Sequence, residues 1–269
     1  VMILVATPIP AIATVLGNAL GLTYYIFFYL SGKSMIKFRF KNISLEKDIW
    51  KEIFTIGTPS SISQILMGTA VMICNNLMIP YGDNALAGMG VATKIMTIGT
   101  YIFMGFAAGC QPLIGYNFGA KTYERVQEII KKGMLITSIL GIFLTVIIFI
   151  FSKQLISFFT PLPEVISQGN SILLGLMWSL PVYGAQMVGA VTVQAMGKGK
   201  ASLLISVSRQ GLFYIPILLI FNTAFSLDGL IFAQPVADIL ALILTILVTS
   251  TILRKSKSSL TTINEIQSV

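Results

Sequence analysis

Histidine is absent from this 269-residue chain, and only two cysteines, two tryptophans and ten acidic residues are present. Without an imidazole, the usual general base and the commonest metal ligand are both missing. Cys74 and Cys110 fall inside apolar stretches, as small buried hydrophobes do, and form neither a disulfide framework nor a metal-ligand spacing. No charged leader with an apolar core and a cleavage site is found. Charged residues make up 10% of the chain and hydrophobic residues 55%. That balance excludes a disordered or ordinary water-soluble chain and places the sequence in the membrane class.

What is abundant is uninterrupted apolar sequence. Residues 1–32, 53–82, 133–152 and 165–197 carry no charge. Residues 84–120 carry Lys94 alone, 201–227 Arg209 alone and 229–253 Asp238 alone. Each stretch supplies the ~20 apolar residues that a helix needs to cross a bilayer. Of the 18 basic residues, 15 lie in alternate gaps: six at 33–51, four at 121–132, Lys198 with Lys200, and Arg254, Lys255 and Lys257. By the positive-inside rule those gaps are cytoplasmic. The pattern predicts an all-α integral membrane protein of about seven transmembrane helices in the cell (plasma) membrane, with its N-terminus outside and its C-terminus inside. Topology accounts for the net charge of +8, so anionic lipid headgroups, not nucleic acid, are its expected partner. An external N-terminus without a signal peptide, and Val1 where a start would have Met, lead to the expectation that further chain precedes Val1.

The spans are expected near 9–30, 53–80, 85 to beyond 111, 133–152, 168–194, 201–222 and 229–253, with 1–7 a remnant of an earlier element. A basic linker at 31–52 is long for neighbouring spans and marks a boundary between bundles. Tyr123, Val126, Ile129 and Ile130 share one helical face, with charges on the other, predicting a short amphipathic helix on the cytoplasmic surface over 121–132.

Polar amides recur inside the spans: Gln64, Asn75, Asn76, Gln111, Gln186 and Gln194. A lipid-facing amide is costly, so they belong at helix interfaces or along an aqueous pathway. Lys94, Arg209 and Asp238 are ionised groups at membrane depth, where charges are rare and mark ion or substrate routes. Lys94 and Asp238 both lie roughly 15 Å from the outer boundary at 1.5 Å per residue, and side chains lean toward helix N-termini. Depth and lean therefore predict Lys94 as the partner of Asp238. A structural and a functional ion pair both remain open.

Ile56-Gly-Thr-Pro-Ser60, Gln111-Pro-Leu-Ile-Gly-Tyr-Asn-Phe-Gly-Ala-Lys121, Gln194-Ala-Met-Gly-Lys-Gly-Lys200 and Ser208-Arg-Gln-Gly-Leu-Phe-Tyr-Ile-Pro216 together resemble the multidrug and toxic compound extrusion (MATE) family. Gly57, Pro59, Gln111, Pro112, Gly115, Asn117 and Gly119 carry the resemblance. Their order and spacing are similar to the second half of that family. The resemblance implies helices 6–12 of a twelve-helix, two-lobe bundle. Residues 1–30 would end a truncated first lobe, 31–52 form the linker, 53–253 a six-helix second lobe and 254–269 a cytoplasmic tail. It further implies an antiporter exporting organic cations in exchange for Na⁺ or H⁺, without other cofactors, and a missing N-terminal lobe as partner. Members with acids in the seventh and tenth helices would place them near Met67 and Tyr183, where this chain has none. Asp238 is the only carboxylate left at membrane depth.

A retinal protein would need a lysine in the last span, and 229–253 has none. An enzyme is unsupported, with no paired carboxylates at membrane depth and no nucleophile beside a base. The nearest competitor is a lipid-linked-precursor flippase of the same superfamily, whose cavity would be expected to hold several basic residues. On a background lacking Cys74 and Cys110, Asn84→Cys is expected to react with an impermeant maleimide on intact cells, and Ser44→Cys only after permeabilisation. External labelling of the residue-44 cysteine would reverse the topology.

Overall fold

A computed structural model describes residues 8–31 and 46–267. The expected remnant at 1–7 and most of the basic linker, 32–45, lie outside the described residues. The chain divides into two compact units, Val1–Lys51 and Glu52–Val269. In the first, α1 (Pro8–Leu30) is an apolar helix with an aromatic run, Tyr24, Tyr25, Phe27, Phe28 and Tyr29. Helix α2 (Lys47–Met78) begins there and continues into the second unit. Helix α2 thus starts before the apolar run that opens near residue 53. Asp48 at the positive end of the helix dipole favours starting the helix before the apolar run.

The second unit continues with a 3₁₀ turn (Ile79–Tyr81), α3 (Asp83–Gly119), α4 (Tyr123–Ser157), α5 (Pro163–Leu176), a 3₁₀ turn (Met177–Ser179) and α6 (Leu180–Ala195). It ends with α7 (Gly199–Val207), a π-helical turn (Ser208–Tyr214) and α8 (Ile215–Gln267). Among the described residues there is no strand. Among the described residues, five helical stretches are long and apolar enough to cross a membrane: Lys47–Tyr81, Asp83–Gly119, Tyr123–Ser157, Pro163–Ala195 and Gly199–Lys257. The protein is thus a helical, multi-pass integral membrane protein.

The last of these stretches is not straight. Ser226, at φ 53° and ψ −129°, leaves helical geometry and breaks α8 into arms at 215–225 and 227–267. Gly229 lies so close to the Phe221 carbonyl that a Cβ there would collide with it. In an unbroken helix those two residues would stand about 12 Å apart, so the chain doubles back at Ser226. The Tyr81 hydroxyl donates to Asn222 Oδ1 at 2.9 Å, tying the α2–α3 turn to this hairpin.

The 163–195 span is the centre of the unit, with 72% of its apolar window buried. Helices α3, α4 and α8 all pack on α6. Pro181 explains the 3₁₀ turn within this span: it has no N–H to offer the carbonyl four residues back, at Met177. That carbonyl is not abandoned. It accepts from the Leu180 N–H and, at 3.1 Å, from the Thr145 hydroxyl of α4. Gly141, one turn away from Thr145, lets α4 come this close, since a Cβ there would sit 2.5 Å from the Leu180 oxygen.

The segment 121–132 is not a separate surface helix. Residues 123–132 are the first turns of α4, and the predicted apolar face docks on the bundle through the buried Val126 and Ile130. No helix breaker separates 132 from the apolar run, and Gly133 packs within the unit against Val188 and Cys110.

Gly141→Ala is expected to lower the thermal midpoint of the detergent-solubilised protein by ~5 °C or more, the size expected for overpacking. Gly90→Ala, where a Cβ would meet nothing within 4 Å, is expected to leave it unchanged. Both are read by size-exclusion chromatography after a temperature series.

Candidate functional site

Arg209 and Asp238 reach each other across the hairpin. Arg209 Nε donates to Asp238 Oδ1 at 2.9 Å. Gln234, one turn before Asp238 on α8, donates its amide to both carboxylate oxygens at 3.1 Å each. Asp238 is 1% exposed and the Arg209 side chain 18%. The guanidinium stacks on Tyr183 of α6, 4.4 Å from the ring centroid. The pair is electrically neutral, the Gln234 amide adds to it, and the aromatic face supplies a cation–π contact. Arg209 and Gln234 thus place three contacts on the two carboxylate oxygens, two on Oδ1 and one on Oδ2.

This corrects the expected Lys94–Asp238 pair. Lys94 is exposed and lies on the face of α3 opposite the buried Ala92, Ile95, Gly99 and Phe103. The lean rule assumes a regular α-helix through Arg209, but Arg209 sits in the π turn 208–214. Pro216 cannot donate to the carbonyl of residue 212, and its ring crowds that group, so the helix widens just before it. From that turn the long side chain bends toward Asp238, against the direction that depth alone implies.

The remaining polar candidates are not gathered into one cluster. Gln64 and Asn75, eleven residues apart, share one exposed face of α2, and Asn76 is exposed beside them. Gln111 is exposed on α3. Gln186 is buried at 3% exposure. Gln194 is half-buried and donates to Ser60 Oγ at 3.3 Å, joining α6 to α2. In the family motif, Asn117 closes the end of α3: its amide donates to the Leu113 carbonyl at 2.8 Å, and its backbone carbonyl accepts from the Thr122 N–H at 3.0 Å. The Thr122 hydroxyl stands 3.0 Å from both Asn117 oxygens. Gly115 brings α3 against the end of α6, where a Cβ would lie 3.5 Å from the Ala195 carbonyl. Gly57, Pro112 and Gly119 show no comparable contact, and the side chain of Pro59 lies outside the described residues.

Gln234 and Tyr183 are the members that sequence reasoning missed. Gln234 had a signal, since it stands at i−4 from the only carboxylate at membrane depth. Tyr183 was marked only as a position where family resemblance would put an acid; its contact with Arg209 depends on how α6 meets the π turn.

Long apolar helices packed around a broken central span, with an ion pair buried between them, make a polytopic helical bundle. The chain belongs to the MatE family, whose model matches residues 59–220. It is 26% identical to the multidrug export protein MepA of Staphylococcus aureus (strain MSSA476) over 238 residues, 88% of this chain and 52% of that protein. Identity to the protein of the same name from Staphylococcus haemolyticus (strain JCSC1435) is 26% over 228 residues, 85% of this chain and 50% of that protein. The fold superposes on the outward-facing conformation of a multidrug resistance MATE family transporter of the MOP superfamily with a TM-score of 0.83 at 21% identity, covering 92% of this chain and 56% of that one. The chain thus spans about half the length of the curated relatives it matches.

A double-mutant cycle separates the two pairings. Asp238→Asn and Arg209→Gln are each expected to destabilise the protein by about 3–5 kcal/mol, as when one partner of a buried pair is removed. Combined, they are expected to cost less than the sum, whereas Lys94→Gln is expected to add independently to Asp238→Asn. Thermal unfolding in detergent measures both cycles.

Proposed function

We propose that this chain forms the second lobe, with one preceding helix, of a cation-coupled antiporter that exports organic cations in exchange for Na⁺ or H⁺. The match to the MatE family over 59–220 carries the proposal. The hairpin at Ser226, together with α1, supports seven crossings, external at 1–8 and cytoplasmic at the C-terminus. The unit beginning at Glu52 supports a second lobe over about 53–253, preceded by the cytoplasmic linker.

In such a transporter, two lobes rock about a site near the bilayer midplane. Helices α2 and α3 present Gln64, Asn75, Asn76, Lys94 and Gln111 on exposed faces. In the proposed whole, these faces meet the cavity and the missing first lobe. Arg209 and Asp238 hold the lobe's own charges in balance. Tyr183 stands where family resemblance would put an acid, and here its ring receives Arg209 in place of a coupling ion. Coupling then depends on acids outside this chain, or on release of Asp238 from Arg209. A flippase of the same superfamily is the weaker reading, because neutralised Arg209 leaves Lys94 as the one exposed cation at membrane depth among the described residues.

Cells expressing residues 1–269 alone are expected to accumulate ethidium as empty-vector cells do. Cells in which the same residues follow a first lobe are expected to accumulate severalfold less. Export by 1–269 alone would sink the half-transporter reading and indicate that two copies enclose the cavity.

A further inference from the structure

Where α4 begins and α8 leaves the apolar zone, the nearby acids are already engaged. Glu128 holds Lys132 at 2.7 Å and Arg125 at 3.9 Å, and Glu124 holds Lys257 at 3.3 Å. Lys131 and Arg254 are exposed and have no ion-pair partner among the described residues. Both line one groove between α4 and α8, with a volume of about 320 Å³. Its floor and walls are apolar, from Ile130, Met134, Ile246 and Leu253. Glu124 meets Lys257, and Met134 and Ile246 line the same groove further along their helices, one after Glu124 and the other before Lys257, so the two helices run antiparallel here. Met134 and Ile246 therefore lie at the deep end, and Lys131 and Arg254 toward the helix ends.

Thr249, on the same groove, is an independent sign of a ligand. It is 3% exposed, and its hydroxyl has no hydrogen-bond partner. Its neighbours on α8 behave differently: Thr245 donates to the Ala241 carbonyl at 2.7 Å and Thr251 to the Leu247 carbonyl at 2.8 Å. Thr249 lines the groove, where a polar group of a ligand would satisfy its hydroxyl.

We propose that this groove binds one anionic glycerophospholipid. Its phosphate lies between Lys131 and Arg254, its ester region reaches Thr249, and one acyl chain runs along Ile130, Met134 and Ile246. Apolar lining below paired cations favours a lipid over free phosphate, which has nothing to place against four aliphatic side chains. Assignment to the cytoplasmic leaflet rests on the topology proposed above, whereas the binding itself does not.

The test is native mass spectrometry of the 269-residue chain in detergent, titrated with dioleoyl phosphatidylglycerol or dioleoyl phosphatidylcholine. The first phosphatidylglycerol is expected to be retained at least about tenfold more tightly than phosphatidylcholine. Lys131→Gln with Arg254→Gln is expected to abolish that preference. Lys153→Gln with Lys200→Gln, which removes the same charge elsewhere, is expected to keep it. Ile246→Trp fills the deep end and is expected to weaken retention of both lipids while leaving the cations in place. Equal retention of phosphatidylglycerol by the two charge variants would overturn the site. Displacement of the lipid by millimolar inorganic phosphate, with Ile246→Trp silent, would overturn the lipid in favour of a phosphate ion. Cysteine labelling of the loops reports the topology separately, so a failure of one is not mistaken for a failure of the other.

Discussion

A helix in hydrocarbon has no water to satisfy a broken backbone hydrogen bond, and the second unit is organised around that constraint. Pro181 strips the Met177 carbonyl of its α-helical donor at the middle of the most buried span. The Leu180 N–H and the Thr145 hydroxyl replace it, and Thr145 can do so only because Gly141 lets α4 approach the α6 backbone. The kink, the helix crossing and the placement of Tyr183 two residues later follow from one missing hydrogen. Pro216 produces a second irregularity by the same logic, the π turn that holds Arg209.

The charge pair depends on those two irregularities. An isolated charge at membrane depth costs about 2.5–3.5 kcal/mol or more on insertion scales. Arg209 from the π turn and Asp238 from beyond the Ser226 hairpin cancel that cost together, with Gln234 and the Tyr183 face completing the environment. Regular helices would have aimed the two side chains in opposite directions. The prolines therefore shape the backbone and also let a cation and an anion on antiparallel helices meet in a low-dielectric interior. A pair held this way is neutral to the surrounding lipid.

At the boundary of the apolar zone the electrostatics differ. Basic residues there are numerous and exposed, and two acids on α4 engage three of them. Pairs of this kind contribute little to stability in water. Their consequence lies in selection, because they leave particular cations beside an apolar groove. The same end of α4 shows why amphipathicity alone is ambiguous. Val126 and Ile130 form the apolar stripe of an interfacial helix, yet the stripe is buried against the protein, since α4 continues unbroken into its span.

Much of this protein was legible in the chain itself. Apolar length, the spacing of charges and the prolines and glycines between them determine a helical membrane protein, because hydrocarbon thickness imposes a length that any sequence must meet. The motif at 111–121 pointed to the family, and in the structure its Asn117 closes a helix end, a local task that nearby residues can specify. What the chain could not declare was which charges meet. Lys94 and Arg209 were both basic and both at membrane depth, and the choice turned on a π turn, a reversal at Ser226 and the side of α3 that faces inward. Those features arise from contacts between residues far apart in sequence, so only the tertiary structure decided that Arg209, resting on Tyr183, is the partner of Asp238.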